Sequence, residues 1–283
     1  MKNIFSLPIV LALVLTAAPL RAGETETLAE RTLHQLQERQ QELFAEAAKS
    51  DEKFDQGNFQ TQLEQVCRGY EDLLRANPKY APGYESYGVL LKKVDMRKQA
   101  IAILLEANKL DPNRALVKNQ IGNYIAEEGK PRDALPYFLA AIKLAPNEPL
   151  YHYSLGTLLF EARDDFLKSG EWKPEAIDHA IHEAFRRAAD LAPDRIEFTY
   201  RYAESFKDMN PPDWDGALAE WTRLEKKAPS EIERQVMQLQ IANVYLQQGK
   251  REQARVTLAG VTEPKLAPQK QKLVAQLEKP AEK

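Results

Sequence analysis

The sequence predicts an all-α fold, an α-solenoid of paired helices, because three features recur along it. Prolines recur in the motifs ANPK, LDPN, LAPN, LAPD and KAPS; small residues recur eight positions into each unit; and an alanine, a bulky apolar residue and a second alanine follow. The prolines are separated by 34, 34, 47 and 36 residues and are Pro78, Pro112, Pro146, Pro193 and Pro229. Because 47 exceeds 34 by 13, one repeat contains an insertion.

The N-terminal residues 1–22 read as an export signal. Lys2 forms a short positive region, an apolar run extends from Leu7 to Leu15, and Ala22 is a small residue at a plausible cleavage point. An uncleaved membrane anchor is disfavoured, because the run contains Pro8 and is shorter than the roughly 20 residues of a spanning helix. We therefore expect an exported, periplasmic or secreted protein with no membrane-spanning segment after cleavage.

Residues 23–56 are expected to form a long, Gln- and Glu-rich helix from about position 26 to position 50. Spacings of three and four alternate along it at Leu33, Leu36, Gln40, Leu43 and Ala47. Two interpretations stay open: the helix packs on the first repeat, or it forms a coiled-coil homodimer that would make the chain a self-assembling structural protein.

Each repeat is expected to be two antiparallel helices whose axes approach to about 8–10 Å. Such an approach requires small residues at the crossing point, and these are Gly88, Gly122, Gly156, Ala203 and Ala242. The second helix carries small and bulky residues in turn, namely Ala100, Ala134, Ala217 and Ala254, followed by Leu104, Phe138, Phe185, Trp221 and Leu258. The turn between the helices carries residue types that tolerate a left-handed conformation, namely Asp95, Gly129, Asn210 and Gly249.

This pattern resembles the tetratricopeptide repeat (TPR), with the family's 34-residue period and its small, aromatic and proline positions. The resemblance implies a right-handed solenoid over 57–267. It comprises a partial repeat at 57–80 and full repeats at 81–114, 115–148, 149–195 with the insertion 163–175, 196–231 and 235–267, capped by a helix and tail at 268–283. Ile181 departs from the pattern because a small residue is usual there.

TPR proteins bind ligands on the concave face formed by the first helix of each pair. The resemblance therefore implies a peptide-binding groove in which amides bind an extended backbone and aromatic rings offer flat apolar area. Its residues are Glu85, Val89, Lys92, Asn119, Asn123, Glu127, Tyr153, Thr157, Phe160, Tyr200, Glu204, Lys207, Leu239 and Asn243. The alternative for Tyr153 and Phe160 is that they only pack against neighbouring helices.

The insertion is expected to lengthen the third hairpin and to protrude from the edge of the solenoid. Phe166 and Leu167 continue the apolar spacing of the first helix, Gly170 stops it, and Pro174 opens the second helix. Two roles stay open for Trp172: it folds back on the hairpin, or it anchors a partner.

Other function classes lack support in the sequence. The net charge of −3, which becomes −5 when Lys2 and Arg21 leave with residues 1–22, disfavours nucleic acid. His179 and His182 lie three apart without a third metal ligand, and DMNPPDWDG fits helix capping by Asp213 or Asp215 better than a calcium loop. No catalytic motif is present, so we expect neither an enzyme nor a cofactor.

Two further observations narrow the expected role. Cys67 is the only cysteine, so no intramolecular disulfide can form. Glu85 and Asn119 occupy positions where the chaperone-binding TPR subgroup carries lysine for a terminal carboxylate, which excludes that ligand class. The predicted function is a non-enzymatic protein- or peptide-binding scaffold of the bacterial cell envelope, with self-assembly or glycan binding as alternatives.

Overall fold

The computed structural model describes residues 26–49 and 55–278. Within them every regular element is helical, as the sequence predicts. The expected signal peptide and the last residues of the tail lie outside the described residues. The chain divides into two compact units, Met1–Tyr80 and Ala81–Lys283. No helix among the described residues is long and apolar enough to cross a membrane.

The described part of the first unit is a pair of helices, α1 (Leu28–Lys49) and α2 (Gln56–Ala76). Thr27 and Glu30 form a reciprocal cap at the start of α1: the Thr27 amide donates to the Glu30 carboxylate at 2.7 Å, and the Glu30 amide donates to Thr27 Oγ1 at 3.2 Å. Asp55 caps α2 by accepting a hydrogen bond from the Asn58 amide at 2.9 Å.

The residues spaced three and four apart on α1 pack against α2. Leu33 and Leu43 are buried, and Leu36 lies over Gly69, where an added Cβ would come within 2.4 Å of the leucine side chain. Tyr70 Oη donates to Gln40 Oε1 at 3.2 Å. Leu36, Gln40 and Ala47 stay half-buried on α1. Cys67 is half-buried on α2.

The second unit consists of five helix pairs and a terminal helix. The pairs are α3 (Ala81–Lys93) with α4 (Arg97–Leu110), α5 (Ala115–Glu127) with α6 (Pro131–Leu144), α7 (Pro149–Glu161) with α9 (Pro174–Leu191), α10 (Ile196–Ser205) with α11 (Trp214–Lys227), and α12 (Glu231–Gln247) with α13 (Arg251–Ala259). A short helix, α8 (Arg163–Lys168), lies within the third pair, and α14 (Ala267–Glu278) follows the last.

The small residues lie against the bulky residues of the paired helix, as the period predicts. A Cβ added to Gly88 would come within 2.7 Å of Leu104, and one added to Gly156 would come within 2.8 Å of the Phe185 ring. Ile181, the departure from the repeat pattern, is buried in the same apolar cluster as Phe185. The close approach of the two helices therefore depends on the missing side chains.

The turns follow the prediction at three of the four positions. Asp95, Gly129 and Gly249 have φ values of 61°, 74° and 72°, the left-handed conformation expected at the end of a helix. The expectation for Asn210 is wrong, because α10 ends in a 3₁₀ turn and the chain continues through a cis peptide bond between Asn210 and Pro211. Asp213 then caps α11, its carboxylate accepting from the Gly216 amide at 2.8 Å.

The last full repeat begins four residues before the expected position 235. Ser230 and Glu233 form a capping motif there, in which the Glu233 amide donates to Ser230 Oγ at 3.3 Å, so α12 starts at Glu231. The terminal helix α14 packs on α12 and α13, as a capping helix should.

The insertion folds onto the third repeat, and the expected protruding hairpin is wrong. Ala162, with φ of −103° and ψ of 20°, ends α7, and α8 then packs against α6 and α7. Phe166 is 1% exposed in the core of the repeat, and its ring centroid lies 6.2 Å from that of the half-buried Trp172. The hairpin does not protrude because folding back buries Phe166. A continued α7 would carry this ring away from the core.

The insertion is also held by a bidentate ion pair. Arg163 Nε and a terminal guanidinium nitrogen lie 2.6 and 3.0 Å from the two carboxylate oxygens of Asp178 on α9, whose side chain is 5% exposed. Gly170 ends the α8 segment with φ of 76°, and Pro174 is the first residue of α9, both as predicted.

Candidate functional site: the first-helix surface

The candidate groove residues lie on α3, α5, α7, α10 and α12, which are the first helices of the five pairs. Helix α5 contacts both α3 and α7, so these three helices form a row. The predicted residues differ in accessibility along it. Glu85, Asn119 and Leu239 are buried; Glu127, Phe160 and Lys207 are exposed; and the half-buried ones are Val89, Lys92, Asn123, Tyr153, Thr157, Tyr200, Glu204 and Asn243.

The polar groups on α3 and α5 bind one another. The Glu85 carboxylate receives two hydrogen bonds from Arg114, at 2.7 and 3.1 Å. Asn119 is 0% exposed, and its Oδ1 accepts from Asn123 Nδ2 at 3.2 Å. In this conformation Asn119 is inaccessible to a ligand, because its acceptor is used and its Nδ2 group is buried without a hydrogen-bond partner.

The far end of α3 is likewise engaged in ion pairs. Glu127 lies 3.8 Å from Lys92 Nζ and 2.8 Å from an Arg97 guanidinium nitrogen. Burial lowers the pKa of Lys92, although the nearby Glu127 carboxylate acts in the opposite direction. This half of the surface is therefore self-neutralised and offers few free polar groups.

Helices α7 and α10 present aromatic and cationic groups to solvent. Phe160 is 37% exposed, and the Arg201 guanidinium carbon lies 4.4 Å from its ring centroid. Arg201 also pairs with Glu204 one turn further along α10. A planar guanidinium held over an accessible ring is a surface that binding partners frequently use.

Tyr153 packs against neighbouring rings, as the alternative interpretation predicts. Its centroid lies 4.8 Å from that of Phe198 and 5.7 Å from that of Phe185. Burial raises the pKa of Tyr153, and the cation of Arg201 acts in the opposite direction. Phe160 packs against neighbouring side chains only in part, because more than a third of its surface is accessible.

A small hollow lies between α10, α11 and α12. Its lining includes Glu204, Lys207, Trp214, Trp221, Gln240 and Asn243. A volume of about 20 Å³ accommodates about one water molecule and no organic cofactor. Because its lining comes from α10, α11 and α12, the hollow brings predicted groove residues from two repeats to one place.

Tyr200 connects α10 to α12 beside this hollow. Its hydroxyl accepts a hydrogen bond from Gln240 Nε2 at 2.8 Å, and its ring centroid lies 4.8 Å from that of Trp221. Burial raises the pKa of Tyr200 to about 12, so the hydroxyl keeps its proton at neutral pH.

We define the C-terminal patch as the contiguous accessible part of this surface, which consists of Phe160, Arg201, Glu204, Lys207, Gln240 and Asn243. Sequence reasoning missed Arg201 and Gln240, which lie one position beyond Tyr200 and Leu239. Arg201 is one of many helical arginines, and nothing in the sequence indicates that it lies over Phe160. The hydrogen bond from Gln240 to Tyr200 joins residues 40 positions apart, so no local sequence pattern indicates it.

The two histidines considered for a metal do not share a site. His182 is half-buried, and its Nδ1 lies 2.9 Å from Ser205 Oγ, whereas His179 is exposed. Burial lowers the pKa of His182. Over residues 26–49 and 55–278, no group of three or more His, Cys, Asp or Glu side chains could hold a metal ion.

The paired helices and the row of first helices define a class of protein, the α-solenoids built from helix-turn-helix repeats. Within this class the repeats are of the tetratricopeptide type. A "TPR repeat-containing protein" of Treponema pallidum (strain Nichols) is 30% identical over 114 residues, which are 39% of this chain. The chain spans 14% of the length of that relative. No family model matches the chain.

Solved structures share the fold at low sequence identity. The Pseudomonas aeruginosa protein pilF superimposes with a TM-score of 0.61 at 15% identity, covering 88% of this chain and 97% of its own. YrrB, described as a TPR protein with an unusual peptide-binding site, gives 0.55 at 19% identity, covering 68% and 90%. A tetratricopeptide repeat protein from Parabacteroides merdae gives 0.53 at 14%, covering 87% and 91%.

Proposed function

We propose that this protein is a non-enzymatic scaffold of the bacterial cell envelope that binds a peptide or a protein segment on the first-helix surface. The TPR fold supports a role in protein–protein interaction. The C-terminal patch is the part of the surface that binds the ligand.

The observation that carries this proposal is the contrast between the two halves of the surface. On α3 and α5 the predicted residues are buried or joined in ion pairs, as for Glu85 and Asn119. On α7, α10 and α12 Arg201 and Lys207 also pair with Glu204, but the Phe160 ring stays exposed beneath the Arg201 guanidinium. The half-buried amides of Gln240 and Asn243 line the neighbouring hollow. Aromatic and Arg side chains supply most of the binding energy in known interfaces, and amides supply directional hydrogen bonds.

An extended segment fits this chemistry better than a small molecule does. The hollow beside Tyr200 is too small for an organic ligand, so a ligand must lie across the patch. YrrB shares the fold and is described as having a peptide-binding site, which is consistent with this choice.

The envelope location is supported by the sequence of residues 1–22, with its positive start, apolar run and small residue at position 22. A fusion of residues 1–30 to alkaline phosphatase, which is active only outside the cytoplasm, tests it. Active phosphatase with a processed N-terminus is expected; an inactive, unprocessed fusion would exclude export.

Binding is tested with a random-peptide display library panned against residues 23–283, a chain that keeps every described residue. The affinity of enriched peptides is then measured by fluorescence anisotropy for the native chain and for a patch variant. The patch variant carries Phe160→Ser, Lys207→Ala and Asn243→Ala, three positions at which the side chain is exposed or half-buried.

A matched control variant carries Lys226→Ala, Gln253→Ala and Val256→Ser, three exposed positions on the second helices α11 and α13. We expect enriched peptides to bind the patch variant at least tenfold more weakly and the control variant with native affinity. Equal affinity for all three proteins, or no enrichment from the library, would refute binding at the patch. Circular dichroism verifies that the variants are folded.

A further inference from the structure

Two leucines on second helices are about half exposed. Leu105 on α4 and Leu139 on α6 have 47% and 50% of their surface accessible. They occupy equivalent positions in consecutive repeats, 34 residues apart. Met96 and Leu144, at the ends of the same two helices, are 41% and 39% exposed. The second helices of the first two repeats and their ends therefore carry four exposed apolar side chains.

Cations flank both leucines in the same register. Lys98 and Lys109 lie on α4, and Arg132 and Lys143 occupy the equivalent positions on α6. All four are exposed. Within each helix the two cations are 11 residues apart, which corresponds to about 16 Å along the axis. We call these four cations and the two leucines the basic leucine face.

Most of the positive charge on this face is unpaired. Among the described residues Lys98, Arg132 and Lys143 form no ion pair, while Lys109 Nζ lies 3.2 Å from Glu106. Asp133 is the exposed acid on α6. The two helices together carry five basic and two acidic side chains, in a chain whose net charge is −3. The face is thus a local basic region on an acidic protein.

The repeat fold does not require this composition. In the third repeat the positions equivalent to Leu139 and Lys143 hold Arg186 and Asp190, which form an ion pair at 2.6 Å. In the fourth repeat, Thr222 replaces the leucine. A polar or ion-paired surface therefore serves the same structural position, and the leucines of the first two repeats need another explanation.

Helices α4 and α6 both pack on α5. Tyr137 on α6 packs against the apolar cluster that contains Leu104 and Ala107 of α4. Since α4 and α6 belong to equivalent hairpins, residues at equivalent positions project on the same side of their hairpins. The leucines and the cations consequently lie on the same side of the two hairpins.

We propose that the basic leucine face binds an anionic lipid surface. Exposed side chains at equivalent positions of two consecutive repeats fit a flat surface. Phosphate-bearing headgroups attract the four cations, and the two leucines insert at the level of the headgroups. This role is separate from the peptide binding proposed for the C-terminal patch and does not depend on it.

The test is co-sedimentation of residues 23–283 with vesicles. One set contains phosphatidylcholine alone, and the other contains 30% phosphatidylglycerol. The absence of residues 1–22 removes their apolar run from the measurement. One variant replaces the four cations of the face by Gln, and a second carries Leu105→Ser and Leu139→Ser. A matched control replaces four exposed lysines elsewhere by Gln, namely Lys168, Lys226, Lys227 and Lys272.

We expect binding to the anionic vesicles only, weakened by 0.5 M salt. Each neutralised cation should weaken binding about fivefold, and the leucine variant should bind several-fold more weakly. The control variant should bind like the native chain. Absence of native binding, or equal binding by all variants, overturns the proposal.

An acidic protein partner is the competing occupant. It is tested with a fluorescent helical peptide rich in Glu and Leu. If this peptide binds the native chain and not the four-cation variant, while the vesicles do not bind, the face is a protein-binding surface and the lipid proposal is wrong.

Discussion

The substitution Gly156→Ala tests whether the missing side chain sets the approach of α7 and α9. A Cβ at this position would lie 2.8 Å from two ring carbons of Phe185 and 3.1 Å from a third. Phe185 is 0% exposed, so its ring is enclosed by neighbouring atoms. Overpacking of this kind costs about 1–3 kcal/mol. The higher helix propensity of alanine offsets about 1 kcal/mol. The expected net loss is therefore about 0–2 kcal/mol.

The equivalent change Gly122→Ala is the internal control. There the added Cβ would lie 3.1–3.3 Å from the Phe138 ring, so a shift of a few tenths of an ångström relieves the contact. We expect this variant to be more stable than Gly156→Ala by about 1 kcal/mol. Urea unfolding followed by circular dichroism measures both variants, with unchanged denaturant slopes required for the comparison.

A double-mutant cycle with Phe185→Leu identifies the source of the loss. The smaller side chain removes the ring atoms that the Cβ would meet, so the double variant should be more stable than the sum of the single effects by about 1–2 kcal/mol. Additive single effects, or a Gly156→Ala protein more stable than Gly122→Ala, would show that the Phe185 ring does not limit the helix approach.

Three further changes test other parts of the structure. Asp178→Asn should destabilise the third repeat by about 1–2 kcal/mol, because it removes the charge that pairs with Arg163, whose side chain is 35% exposed and keeps part of its hydration. A thermal melt measures this, and the double variant Arg163→Met with Asp178→Leu should restore most of the loss. Gln235→Leu removes the acceptor for two loop amides at 2.7 and 2.8 Å, which should accelerate their hydrogen exchange. Burial lowers the pKa of His182, so the unfolded chain binds the proton more readily and stability should fall as pH decreases below about 6.5. His182→Gln should weaken that pH dependence in melts at pH 7 and pH 5, and an unchanged dependence would exclude this histidine.

The helix pairs were predictable because each rests on a local requirement that repeats. A small residue is needed wherever two helices cross closely, so Gly88, Gly122 and Gly156 recur at one place in the period, with alanine there in the last two repeats. A left-handed turn residue is needed after each first helix, which identifies Asp95, Gly129 and Gly249. The prediction for Asn210 is wrong because asparagine tolerates the left-handed conformation but does not require it.

The candidate site was predictable only in outline. A family pattern names positions on the first helices, but the accessibility of each position depends on its neighbours. Asn119 is buried between adjacent helices, whereas Phe160 retains over a third of its surface, although both satisfy the same pattern. Arg201 and Gln240 enter the patch through contacts with other repeats, which sequence spacing does not encode.

The course of the insertion shows the same limit. Its length and the roles of Gly170 and Pro174 follow from residue type, because Gly permits positive φ and Pro suits the first turn of a helix. Whether α7 continues or breaks at Ala162 depends on how much apolar surface each path buries, and Phe166 and Trp172 bury theirs only when α8 turns back.

From the sequence alone follow the number of helix pairs, their small crossing residues and the resemblance to the TPR family, because local backbone requirements repeat with a fixed period. Tertiary structure alone decides which side chains remain accessible on the first helices, where α8 lies, and which exposed residues of α4 and α6 share a face. These properties depend on contacts between residues far apart in the chain, and no local pattern specifies such contacts.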